Sequence, residues 1–106
     1  MIACNCVVQA GQISAASEAV LRKNLNDFAE RRLGAPAEIN WIAVPERSGF
    51  TAGNPSTSSV ISLRALQPVA QSDREPLLRE LCDIWTSETK CTLNEVVGVI
   101  SDPLAE

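Results

Sequence analysis

Glu18-Ala19-Val20-Leu21-Arg22 and Glu75-Pro76-Leu77-Leu78-Arg79 stand 57 residues apart, and the same shift carries Phe28 onto Trp85 and Glu38-Ile39 onto Glu95-Val96. Each copy reads as a helix and then a strand, because apolar residues recur every three or four positions before giving way to a short apolar run. The first helix is expected from about Ala15 to Leu33, with Leu21, Leu25 and Phe28 on one face, Val20 at its edge, and Gly34 then Pro36 to end it. The second is expected from Ser72 to about Thr89, with Leu77, Leu78, Leu81, Ile84 and Trp85 apolar. Ser72-x-x-Glu75 has the form of a capping box, whereas Ala15 takes that place in the first copy and leaves Ser14 as the cap. Pro76 is expected in the first turn, where its missing N–H costs little.

Strands are expected at residues 2–9, at Ile39 to Val44 before Pro45, at residues 59–66, and from Glu95 to Ile100 before Asp102-Pro103. The polar segment from Glu46 to Ser58 is too long for a tight hairpin and reads as an extended loop. The order is therefore β-α-β-β-α-β, an α+β fold built of two βαβ units. With 106 residues there is room for one domain, its halves at about 1–45 and 58–106 joined by loop 46–57. This order suits either a fold whose central strands form a hairpin or one whose two units pair by pseudo-twofold symmetry. The duplication and the long joining segment favour the second.

The chain is 45% hydrophobic and 21% charged with a formal net charge of −4, the balance of an ordinary globular protein. It has no run of Lys or Arg to displace counterions from a phosphate backbone, so nucleic acid is not an expected partner. It contains neither His nor Tyr, which excludes Ser-His-Asp and Cys-His catalysis and any His-bearing metal site. Met1-Ile2-Ala3-Cys4 has no positively charged leader character and no apolar stretch approaches the ~20 residues of a membrane span, so a cytoplasmic protein without membrane contacts is expected. Cys4, Cys6, Cys82 and Cys91 then read as reduced thiols. Cys4-Asn5-Cys6 places two sulfurs on one strand face, but the other cysteines lack paired spacing, and buried thiols are preferred to a metal site. No metal or other cofactor is expected.

Gly34-Ala35-Pro36 leading into Ile39-Asn40-Trp41-Ile42-Ala43-Val44-Pro45, with Ser58-Ser59-Val60-Ile61-Ser62-Leu63-Arg64-Ala65-Leu66, resembles the tautomerase superfamily, including its macrophage migration inhibitory factor and oxalocrotonate tautomerase branches. The resemblance covers nearly the whole chain. It implies a trimer with helices outside and sheets inside, and proton transfer by an amino-terminal proline amine next to the carbonyl of a small carboxylate. Here the sequence begins Met1-Ile2, and the large second side chain is expected to keep Met1 in place. A primary amine remains, able to act as a base or form an imine. Further departures are Ala35 where the inhibitory factor has a substrate-binding lysine, and Val97 and Val99 where it has a tyrosine and an asparagine. The stretch Gln67-Pro68-Val69-Ala70 lacks the arginine pair of the dehalogenase branch. Only Leu66 survives as a matched position.

The candidate catalytic group is the Met1 amine, with Ile2, Arg64 and Leu66 as candidate binding positions for a small 2-oxo acid or enol carboxylate. Arg64 shares a strand face with Ser62 and suits a carboxylate, but the preferred reading is an ion pair or a place lining a solvent-filled centre, because buried charges are normally paired. Arg47 and Asn54 in the loop, and Arg22-Lys23 and Arg31-Arg32 on the first helix, read as solvated, with Glu18 and Arg22 spaced for an ion pair. Asp73 suits the field at a helix start, and Trp41 and Trp85 read as core. The alternative to an isomerase is a non-catalytic anion-binding protein or the structural subunit of a hetero-oligomer.

Overall fold

A computed structural model describes the chain except for residues 46–48, 52–53, 57, 93–94 and 104–106. The first βαβ unit comprises β1 (Ile2–Gln9), α1 (Ala15–Phe28) and β2 (Ala37–Val44). The pair β3 (Gly49–Thr51) and β4 (Asn54–Ser56) leads to the second unit, β5 (Ser59–Arg64), α2 (Gln71–Thr89) and β6 (Val96–Ser101). One four-stranded sheet has the order β2-β1-β5-β6. Its outer pairs are parallel and its central pair, β1 with β5, is antiparallel. Two right-for-left equivalent units thus share a sheet, as pseudo-twofold symmetry requires. The helices and second strands follow the 57-residue shift, whereas strand pairing sets Cys4 opposite Ile39 and Ser59 opposite Val96, an offset of 55 for the first strands.

Alternation along most of each strand makes the sheet two-faced. Ile2, Cys4, Cys6 and Val8 of β1 join Ile61 and Leu63 of β5 and Val96 and Ile100 of β6 in the core. Leu21, Leu25 and Phe28 of α1 and Leu77, Leu81 and Trp85 of α2 cover them. Trp85 stacks on half-buried Trp41 at 5.6 Å between ring centroids, and Arg22 lies 5.7 Å over Trp41 while its Nε donates to Glu18 at 2.9 Å. That i,i+4 pair thus also packs against the edge of the core. Both helices lie on one side, and among the described residues the other side of the sheet is bare.

The helix ends correct several expectations. Ser14 caps α1, accepting from the Ser17 N–H at 3.1 Å. The helix loosens to a π-helical turn at Ala29–Leu33 and stops at Gly34, whose φ of 85° is the left-handed value that favours glycine. The expected capping box at Ser72 is not formed: α2 begins at Gln71, its cap is Ala70, and no side chain caps it. Pro76 is accordingly the sixth residue of the helix, not part of its first turn, and removes a hydrogen bond to the Ser72 carbonyl. The expected loop at 46–57 contains β3 and β4, which pair antiparallel with Phe50 opposite Pro55.

Candidate functional site

The register of the sheet decides which residues meet on its bare face. Val7 pairs with Ile42 on one side and Val60 on the other, and Val60 with Val97, so one lateral row is wholly apolar. The next row reads Asn40, Asn5, Ser62, Val99, and within it the Asn40 side-chain amide donates to Asn5 Oδ1 at 3.0 Å. The third row begins Glu38, Ala3, and continuing the register from Cys4–Leu63 by one pair adds Arg64, which pairs with Ser101. Met1 precedes β1 and Leu66 follows the end of β5 by two residues, so both lie beyond the paired ends of the central strands. The face therefore grades from apolar at one end to charged at the other.

Three of the four positions named from the sequence are exposed: Met1, at 71%, just before β1, Arg64 at the end of β5, and Leu66, at 47%, two residues after it. Ile2 is not brought to them: its side chain is fully buried beneath the helices, and its N–H already donates to the Pro36 carbonyl at 2.8 Å. Arg64 and Ser62 do share a face, as alternation requires. Arg47 lies outside the described residues, and Asn54 is in β4.

Sequence reasoning missed Glu38, which the pairing of β2 with β1 sets in the Arg64 row. The signal was available in Glu38-Ile39-Asn40-Trp41, whose polar positions alternate with core ones. It also missed that Arg31 and Arg32 both approach Glu80 of α2, at 3.0 and 3.7 Å, and so link the helices. Those arginines line a cleft of about 520 Å³ beside the start of α2, and two smaller clefts lie against the helices. None of the three is lined by Met1, Arg64 or Leu66.

Cys4 and Cys6 are buried with their sulfurs 4.0 Å apart. The contact with Cys4 and burial both push the Cys6 thiol up, so it stays protonated in the core. Among the described residues no group of three or more His, Cys, Asp or Glu side chains converges as metal ligands, and no helix is long and apolar enough to cross a membrane.

The crystal structure of native Ps01740 superposes on this chain with a TM-score of 0.86 at 24% identity, covering 97% of this chain and 95% of that one. A symmetric trimer of wild-type fused 4-OT gives 0.83 at 16% identity, with coverages of 95% and 85%. Pt0534, in a structure inactivated by 2-oxo-3-pentynoate, gives 0.81 at 19%, again with 95% and 85%. The chain carries the tautomerase fold. No protein-family model and no curated protein matches its sequence. In this fold the antiparallel pairing of β1 with β5 sets the start of β1 and the end of β5 at the same end of the sheet.

Proposed function

We propose that this protein is a tautomerase-type homotrimer of the cytoplasm that binds a small 2-oxo acid or enol carboxylate and has weak or absent proton-transfer activity. The observation that supports the reading is that exposed Met1, Leu66 and Arg64 stand at or just beyond the start of β1 and the end of β5, which antiparallel pairing sets at one end of the sheet. Arg64 presents a planar fork of donors to the ligand carboxylate. The Met1 amine takes a proton from the carbon beside the carbonyl and, as the ammonium so formed, returns it to the carbonyl oxygen, which interconverts keto and enol forms. Ile2 contributes backbone rather than side chain, and Leu66 supplies an apolar wall. Activity is expected to be low because a flexible primary amine stands where the resemblance calls for a ring-constrained proline. The bare face supports the trimer, since it offers a surface that copies of the chain cover for one another. The chain is one domain, with halves at 1–45 and 58–106, and four free thiols fit a reducing compartment.

A second reading, a non-catalytic anion-binding protein or the structural subunit of a hetero-oligomer, is favoured by Met1-Ile2 and by the absence of an enclosed cleft around Arg64 among the clefts described. Thermal shift with a panel of small carboxylates, run beside turnover of phenylpyruvate and 2-hydroxymuconate, separates the two. Stabilisation with slow turnover, both lost in Arg64→Ala, is the expected result. Stabilisation without turnover leaves the binding protein, and neither response across the panel removes both ligand readings.

A further inference from the structure

Glu38 and Arg64 are the only charged side chains on the bare face among the described residues. Both are exposed, and neither has an ion-pair or hydrogen-bond partner in the described chain, whereas Arg22, Arg31, Arg32 and Arg74 are all ion-paired. They occupy one lateral row with Ala3 between them, two strand spacings or about 10 Å apart at the backbone. The strip between them is a methyl group, which bridges nothing.

We infer that Arg64 of one copy pairs with Glu38 of a neighbouring copy when the bare faces close on one another, an inference that rests on the trimer reading. A charge covered without a partner is expensive, and opposite charges on a self-covering face resolve both costs at once. Apolar contact in the row of Ile42, Val7, Val60 and Val97 is non-directional and leaves the sliding and orientation of the faces loosely fixed. One positive and one negative group at the other end fix both, because a displaced arrangement leaves the charges unpaired or sets like charges together. A guanidinium has five donors, of which a carboxylate takes two. Arg64 engaged with the neighbouring Glu38 therefore keeps donors for a ligand carboxylate, and the second copy completes the site by holding the guanidinium in position.

Sedimentation across a wide concentration range tests this with the wild type, Glu38→Arg, Arg64→Glu, the double reversal, and an equimolar mixture of the two single variants. Circular dichroism establishes that each variant is folded, and the milder Glu38→Gln and Arg64→Gln serve in place of any that is not. The wild type is expected to be trimeric, with each single reversal raising the half-assembly concentration on the order of tenfold or more. The double reversal is expected to restore assembly, and the mixture to associate more tightly than either variant alone. Single reversals that assemble like the wild type overturn the pair while leaving the trimer intact. So do weakened variants that gain nothing on mixing, because their charges would then meet within one chain. A wild type that stays monomeric overturns the trimer reading itself, and the pair with it.

Discussion

Gly98 sits in β6 directly beneath α2, and a Cβ placed on it would lie 3.3 Å from Cys82 Sγ and 3.4 Å from Leu81 Cδ2. Leu81 is fully buried, so it has little room to retreat. Gly98→Ala is therefore expected to destabilise the chain by about 1–3 kcal/mol, the usual cost of overpacking a filled interior. Because the nearer obstacle is one sulfur atom, Cys82→Ala in the same chain should recover part of the loss, giving a non-additive cycle in urea denaturation. Additive effects would show that the strand shifts away from the helix instead. Burial pushes the Cys82 thiol up, so it acts as a small apolar group in this contact. Cys4 and Cys6 hold a similar position in the sheet, which is why their C-x-C spacing reads as packing rather than as ligand geometry.

The start of α2 is the element whose local chemistry least matches its position. Ala70 leaves the first N–H groups without a side-chain acceptor, so Ala70→Asp is expected to stabilise the chain by about 1 kcal/mol in thermal or chemical unfolding. Unchanged stability would mean that solvent already satisfies those donors. The same region is tied to the end of β6, where Asp102 accepts from the Val69 N–H at 3.0 Å and from Arg74 Nη2 at 2.6 Å. The Val69 hydrogen bond, and then the Arg74 charge, hold the Asp102 carboxyl below its ordinary range. A carboxylate whose folded value is depressed stabilises the fold above its ordinary range, and the contribution fades as pH falls through the folded value. Asp102→Asn should thus melt earlier than the wild type at neutral pH, with the gap closing below about pH 4. A gap independent of pH would assign the effect to packing. The elements around these tethers were legible wherever periodicity spoke: β1 at residues 2–9, both helices, and the alternation that buries Cys4 and Cys6. The short β3–β4 pair was not, because Gly49-Phe50-Thr51 and Asn54-Pro55-Ser56 carry no apolar alternation and Pro55 argues against a strand. The capping box failed for a related reason, since a four-residue pattern cannot register that α2 starts one residue earlier. At the candidate site, the face that Arg64 shares with Ser62 was legible from strand parity, while the place of Glu38 required knowing which strands are neighbours.

At the scale of the molecule, the large hydrophobics left exposed among the described residues are Met1, Ile42, Leu66, Val97, Val99 and Val20; Ile42, Val97 and Val99 lie on the bare face of the sheet, and Met1 and Leu66 stand just beyond the ends of its central strands. A βαβ duplication explains the asymmetry: both crossovers pass on one side, so both helices cover the same face and, among the described residues, no helix covers the other. Val97 and Val99 stand 46% and 40% exposed and add nothing to the core beneath α2. Replacing both with Lys should then separate the stability of the chain from that of its assembly. For the wild type, melting temperature is expected to rise with protein concentration, because association stabilises only the folded form. For the Val97→Lys, Val99→Lys chain it should be independent of concentration and meet the wild-type value at high dilution, with sedimentation reporting a monomer. Two results count against this account of the bare face: a double variant that still assembles, or a wild type whose melting temperature does not move over a hundredfold or so change in concentration. If the double variant also lost its dilute-limit stability, the valines would be packing within the chain, and the sheet would have to bury both faces without a second copy.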